Sequence, residues 1–498
     1  MNKPSIVKNT AFITFVACLE RGLGFLYRIV LARLLGAEGL GIYQIALSHS
    51  VLFQTAAGGG IPVTLSRTVS ALQAAGKGQK KGGALSAALL LGVLISLPVV
   101  LFLLPLADKI PLFSTDAPVL KILIISLIFS AAYVAIKGYF WGNKEFVAPA
   151  LFEMAEQICT VTLGVIFLSS TQGLSAMDGA CRAAWAHTLS CAFSLLVAIL
   201  FLAAKKTKLS SPQPFLLPLC KSAAPITAVR ASATLINAAV AVLLPYALTR
   251  AGYTQSAALQ AFGVVSGMVF PLLFMPLTII GSLATVLVPE LAEDYQKRNF
   301  SRLRANVERG LLFSIGIACF LIPFFVALGE PLGALTYQND LAGQVLSKSA
   351  WLLLPLSVSA ILMSILNSLG QEKQTFAFSI VGSAATLLCI LFLPALVGIY
   401  AYPIGLGAQF CLQTICSLSA LKKRCPLSKP FYTKTALYIG CILPLCLIGW
   451  LCLQGSYIFL GKWLAPLFSA LLLFGLSALL YRAYRLLPAK NKISRHSS

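Results

Sequence analysis

Residues 84–106 run from Ala84 to Leu106 without one charged side chain, and similar apolar runs recur along the whole 498-residue chain. Nothing else in the sequence constrains the fold as strongly. About 20 apolar residues is the length of helix that crosses a bilayer core. Inside lipid, such a segment must satisfy its own backbone groups. The runs are continuous rather than alternating, which argues against a membrane barrel. Hydrophobic residues make up 58% of the chain and charged residues 11%, against about 25% charged in soluble domains. Mean hydropathy is +0.88. The expectation is an all-α, polytopic membrane protein.

Apolar runs and their breakers predict about fourteen transmembrane helices: 9–35, 41–72, 84–106, 119–142, 147–169, 179–204, 219–247, 256–288, 305–328, 345–370, 374–395, 399–420, 434–454 and 461–484. Charge placement tests this count. With a cytoplasmic N-terminus, twenty-three Lys and Arg fall in inside segments and only Lys109, Arg250 and Lys462 fall outside. A miscounted helix would invert every later loop and erase that bias. Basic, proline-containing stretches then divide the chain. They give a six-helix lobe (1–204), a linker (205–218) and a second six-helix lobe (219–420). A second linker (421–433), two extra helices (434–484) and a basic tail (485–498) follow. The expected location is the cell membrane, with both termini cytoplasmic.

The two lobes echo each other weakly. Ile61-Pro62-Val63 in the second helix answers Val288-Pro289-Glu290 after the eighth. Trp141-Gly142-Asn143-Lys144 answers Leu369-Gly370-Gln371-Glu372-Lys373. Duplicated halves often bracket a central site in transporters. Pro271 and Pro276, five apart in the eighth helix, predict a bend.

Several function classes drop out. A net charge of +23 on a soluble protein would point to nucleic acid. Here the basic residues lie in short loops and read as a topology signal, so no nucleic-acid partner is expected. The thirteen cysteines form no CxxC pair and read as small apolar filler, not a metal site. Phe15-Val16-Ala17-Cys18 resembles a lipoprotein cleavage site, but the helix continues through it, and an uncleaved first helix is expected. There is no Asp-x-Asp pair, histidine cluster, nucleophile elbow or GxxxxGK[ST] loop. The chain is not expected to be an enzyme or to need a cofactor.

The intramembrane charges hold the chemistry. An arginine at the bilayer centre costs roughly 2.5–3.5 kcal/mol on the gentlest scale, so such residues mark water or an anion. Arg21 and Arg28 lie seven apart on nearly one face of the first helix, with Gly24 between them. Two guanidiniums suit a phosphate or pyrophosphate; pairing with Glu153 or Glu156 is the other reading. Glu153 and Glu156 share a face of the fifth helix. They could balance the arginines, hold a coupling cation or proton, or sit at the interface. Lys137 reads as a snorkelling side chain. His187, near Trp185, reads as an interfacial anchor. Arg67 lies beside a basic turn, and Arg230, with Asn237, gives the seventh helix a polar stripe. The candidate substrate-binding residues are therefore Arg21, Arg28, Arg67 and Arg230. The candidate coupling or charge-balancing residues are Glu20, Glu153 and Glu156.

Arg21-Gly22-Leu23-Gly24-Phe25-Leu26-Tyr27-Arg28, Leu31-Ala32-Arg33-Leu34-Leu35-Gly36-Ala37-Glu38-Gly39-Leu40-Gly41 and Gly60-Ile61-Pro62-Val63 resemble the opening of the stage V sporulation protein B group of oligosaccharide flippases. Gly138-Tyr139-Phe140-Trp141-Gly142 with Glu153 to Gln157 resembles its fourth-to-fifth helix turn. The resemblance implies the multidrug/oligosaccharidyl-lipid/polysaccharide exporter superfamily, with two six-helix lobes around a central cavity. It implies movement of an undecaprenyl-pyrophosphate-linked saccharide, plausibly a peptidoglycan precursor for spore cortex, by alternating access. In related flippases cavity arginines hold the pyrophosphate. Arg21 matches one such position, Arg28 lies one residue beyond the next, and Arg67 and Arg230 match by region. Residues 434–484 would form the lipid-tail groove. The expected partners are the lipid-linked saccharide, the bilayer and a coupling ion. Membrane potential, consumption of cargo outside or a partner protein are the other energy sources. The alternatives are a multidrug/cation antiporter of the same superfamily and an exporter of another polysaccharide repeat unit.

Overall fold

The computed structural model describes residues 3–169 and 175–486, which are helical almost throughout and contain no strand. Of the basic tail read at 485–498, residues 487–498 lie outside the described residues. The chain divides into two compact units, residues 1–268 with 390–399 and residues 269–389 with 400–498. Unit 1 contains α1 (Lys3–Gly58), α2 (Ile61–Ala74), α3 (Lys81–Leu106), α4 (Ala117–Gly142), α5 (Val147–Ser169), α6 (Ala176–Ala204), α7 (Gln213–Arg250) and α8 (Gln255–Phe262). From residue 269 the chain continues through α9 (Phe270–Phe274), α10 (Leu277–Gln296), α11 (Phe300–Tyr337), α12 (Asp340–Ser349), α13 (Leu353–Ser368) and α14 (Glu372–Phe392). The short α15 (Pro394–Val397) belongs to unit 1, and unit 2 closes with α16 (Ala401–Lys422) and α17 (Lys429–Leu486).

Eleven stretches among the described residues, from Gly78–Lys109 to Lys429–Ser456, are long and apolar enough to cross a membrane. They correspond to the third through thirteenth expected helices. The first and second expected helices lie in α1 and α2. α1 has one non-helical residue, Gly36 (φ 66°, ψ 179°), so the expected loop shrinks to one glycine in a backbone region that a Cβ disfavours. The second expected helix is itself broken at Gly59–Gly60 and restarts at Ile61-Pro62. Proline suits the first turn, where its missing N–H has no intrahelical partner to lose. α7 closes the break: the Gly60 N–H donates to Thr227 Oγ1 (2.9 Å) and Arg230 donates to the Gly59 carbonyl (2.7 Å). Around the expected bend, the chain widens into a π-helical turn over Gly263–Val269 and breaks between α9 and α10, at Met275–Pro276.

The last two expected helices are the arms of α17. Ser456 Oγ lies 3.2 Å from Ser469 Oγ, 13 residues later. A straight helix would separate them by about 20 Å, so the chain doubles back between them. Leu453 and Leu473 pack with Ala327 and Leu328 of α11.

Lipid tails are as apolar as leucine, so close packing rather than water avoidance joins these helices. α3 buries Ala84, Ala87, Ala88 and Leu91 in a cluster with Ala135 of α4 and Leu65 and Val69 of α2. Its other face leaves Leu94, Leu101 and Phe102 exposed, a stripe suited to lipid. The chain is a multi-pass membrane protein.

Candidate functional site

Unit 1 holds a half-open cavity of about 450 Å³. The first arm of α1 lines it with Glu20, Gly24, Tyr27, Arg28 and Leu31, the spacing of one helix face. The second arm adds Tyr43, Gln44, Leu47 and Gln54. α4 adds Ser130, Tyr133 and Val134. α5 adds Glu153, Glu156, Gln157 and Thr160, and α6 adds His187 and Cys191. Gly24 leaves room for the Gln157 amide, 3.7 Å from where a Cβ would stand.

The lining holds three carboxylates, Glu20, Glu153 and Glu156, and one guanidinium, Arg28. Lys137 of α4 forms a hydrogen-bonded ion pair with Glu153 across to α5, and its ammonium lies 4.8 Å from the Trp141 ring centroid. It is therefore a paired residue rather than the snorkelling one read from the sequence. Glu156 accepts from Cys191 Sγ at 3.5 Å. No hydrogen bond or ion pair to a described residue is formed by Arg28 or Glu20. The wall is thus acidic, with one uncommitted cation and one uncommitted carboxylate about 12 Å apart along one helix. Such a wall suits a cation or proton as readily as it suits the charged end of a larger cargo.

The other expected residues lie elsewhere. Arg21 and Arg67 are exposed and do not line this cavity. The split between Arg21 and Arg28 has a geometric cause. A helix turns about 100° per residue, so Arg28 sits near the edge of the lining face and Arg21 about 20° further round. Arg230 joins α7 to the break after α1. His187 lies well inside α6, on the cavity wall, rather than at an interfacial helix start. Tyr27, Tyr43, Tyr133, Gln44 and Gln54 were not singled out from sequence. The spacing of polar or small residues at 20, 24, 27 and 28 in α1 and of polar residues at 153, 156, 157 and 160 in α5 is the signal that marks this wall.

A second buried polar pair stands apart from the cavity. Asp116, on the turn before α4, meets His49 of α1 at 3.0 Å between Oδ2 and Nδ1, and both side chains are buried. Burial pushes the Asp116 carboxyl up, and its hydrogen bond to His49 opposes that shift. The pair fastens α1 to the start of α4. Among the described residues no group of three His, Cys, Asp or Glu is arranged to hold a metal ion.

The family described as polysaccharide biosynthesis protein matches residues 6–294, which takes in the cavity. Stage V sporulation protein B of Bacillus subtilis (strain 168) is 26% identical over 458 residues, 86% of each chain. Sporulation protein YkvU of the same organism is 24% identical over 352 residues, covering 66% of this chain and 74% of its own. Among solved structures, the lipid II flippase MurJ in an inward closed conformation superposes with a TM-score of 0.74 at 14% identity, over 95% of this chain and 99% of its own. An inward-facing multidrug resistance MATE family transporter of the MOP superfamily gives 0.67 at 15% identity, over 81% and 96%. The polar cavity, the helical plan and the match over more than half of the sequence converge: the chain belongs to the polysaccharide biosynthesis protein family and has the fold of MOP-superfamily transporters.

Proposed function

We propose that this protein is a flippase that moves an undecaprenyl-pyrophosphate-linked saccharide, a peptidoglycan precursor, between membrane leaflets by alternating access. The observation that carries the reading is Arg28, a guanidinium of the first helix whose side chain has no hydrogen-bond or ion-pair partner among the described residues, on a polar wall, in a chain similar along 86% of its length to stage V sporulation protein B. An arginine fork is suited to a phosphate oxyanion. Arg21 and Arg67 would receive the diphosphate elsewhere along its path, and Arg230 would add to that path while holding the helix break. Glu20, Glu153 and Glu156 would couple the cycle to an ion or proton. Both termini would be cytoplasmic. The sporulation names of two relatives favour a role in the spore cortex.

Three carboxylates on the wall favour a second reading, a cation antiporter of the same superfamily. Reconstituted flipping of labelled lipid-linked precursor separates the two. On the first reading Arg28→Ala lowers the initial flipping rate at least tenfold, Arg21→Ala lowers it less, and the thermal midpoint stays near the parent's. Unchanged flipping in both variants sinks the anion role. Loss of cation-coupled drug transport in Glu153→Gln and Glu156→Gln, with Arg28→Ala fully active, would establish the second reading.

A further inference from the structure

A second cavity, of about 350 Å³, lies at the lysine-rich end of unit 1, away from the glutamate wall. The end of α2 lines it with Ser70 and Gln73, α3 with its first residue, Lys81, and the turn after α4 with Gly142, Asn143, Lys144 and Glu145. The turn is locked to α2: Ser70 Oγ donates to the Gly142 carbonyl at 2.9 Å, and a Cβ on Gly142 would stand 2.6 Å from Val69. The cavity is therefore built by packed helix ends rather than by a loose loop.

Its charges are unbalanced. Lys81 Nζ donates to Asn143 Oδ1 at 2.7 Å, a neutral partner that leaves the ammonium charge uncompensated. Lys144 Nζ has no hydrogen bond or ion pair to a described residue. Glu145 is the one carboxylate in the lining, and Lys205 pairs with it at 3.0 Å. Two net positive charges remain beside the Gln73 amide.

The backbone of Lys144 fixes its place at this turn. The Lys144 N–H donates to Trp141 O and the Glu145 N–H to Phe140 O, both at 3.0 Å, the pattern of a helix ended by a left-handed residue. Lys144 is that residue, with φ 62°. Glycine adopts this conformation freely and a lysine does not. The corresponding turn after α13 uses Gly370, with φ 73°. A cation after a helix also complements the helix dipole, as at Lys206 and Arg298. That effect needs neither a cavity nor a second lysine beside it.

Depth narrows the ligand. The cavity sits at the ends of α3 and α4, which belong to apolar spans, and Phe146 stands exposed two residues beyond Lys144. Lysines at the end of an apolar span lie at the level of the headgroups, where their ammonium groups stay hydrated. We propose that this pocket binds the phosphate of an anionic phospholipid headgroup, with Lys81 and Lys144 as its two cationic contacts.

The test is titration of the full-length protein in detergent with phosphatidylglycerol, phosphatidylcholine and inorganic phosphate, read by native mass spectrometry. Lys144→Gly removes the charge and suits the left-handed turn, so folding is not at risk; thermal unfolding checks this. Lys144→Gly and Lys81→Gln should each weaken phosphatidylglycerol binding about fivefold, the weight of one basic residue at an anionic surface. Lys77→Ala, outside the lining, should change it less than about twofold. Phosphatidylcholine should bind alike in all four proteins. Equal phosphatidylglycerol affinity across parent and variants would overturn the site. An equal loss in Lys77→Ala would reduce it to a general surface field. Displacement of the lipid by millimolar inorganic phosphate would reassign it to a soluble phosphate.

Discussion

Unit 1 and unit 2 are both built from long apolar helices, yet their interiors differ in kind. Unit 1 surrounds a cavity whose wall holds Glu20, Arg28, Glu153 and Glu156. Unit 2 packs Leu291, Leu303, Val307, Leu311, Ile361, Leu362, Ile365 and Leu366 into one apolar cluster. Several of its polar contacts gather at helix ends. Asp294 accepts from Asn306 at 3.1 Å and lies 3.6 Å from Arg302. Glu308 accepts from the Ser428 N–H at 2.6 Å and from its hydroxyl at 3.0 Å, fixing the start of α17. The lesson is one of cost. A membrane interior penalises every charge, and in unit 2 the acids beside the apolar cluster, Asp294 and Glu308, are each hydrogen-bonded near helix ends. The charges within unit 1 are the ones that need a functional reason.

The largest expected effect tests the packed side of this contrast. Leu366→Ala should lower unfolding stability by about 2–5 kcal/mol, read as a fall in thermal midpoint. Leu47→Ala, on the cavity wall, should cost distinctly less, because the wall already borders empty space. Equal losses at the two positions would break the contrast. A smaller effect probes the polar side. Lys137→Met leaves Glu153 without its cation and should cost about 1–3 kcal/mol, below the figure for a fully buried pair because both side chains keep some exposure. The double variant Lys137→Met/Glu153→Leu should regain most of that loss. If it does not, the pair has a role beyond its own charge balance.

The smallest effect is at Glu293, a fully exposed carboxylate whose hydrogen bond to Lys297 holds it below the usual carboxylate range. A depressed acid stabilises the folded state above its unfolded value, and that contribution fades as pH falls through the folded one. Glu293→Gln should therefore lie slightly below the parent's thermal midpoint at neutral pH, by no more than an exposed ion pair contributes. Below about pH 4.5 the parent should decline slightly more steeply than the variant. A gap that persists undiminished below that pH would show that Glu293 acts through something other than its charge.

The helical layout was legible residue by residue. Runs such as Ala84–Leu106 admit one structure in lipid, and the two arms of α17 fall where the expected pair stood. Glu153 and Glu156 were legible as intramembrane acids, and both line the cavity. Partnerships were not legible. Lys137 meets Glu153 sixteen residues away, Arg230 meets Gly59 across 171, and His49 meets Asp116 across 67. A single sequence shows a charge but not the neighbour that packing brings to it.

The sequence by itself determined that this chain spans a membrane many times, and the opening motifs of α1 named its relatives. Both follow from local facts, the length of apolar runs and the order of residues. Only tertiary structure decided that Arg28 reaches the cavity wall while Arg21 does not, since a modest rotation around one helix separates a lining position from one just beyond its edge. It likewise decided that Lys81 and Lys144 border one pocket. Residues 63 positions apart become neighbours only when α2, α3 and α4 pack, and packing is set by the shapes of all three helices at once.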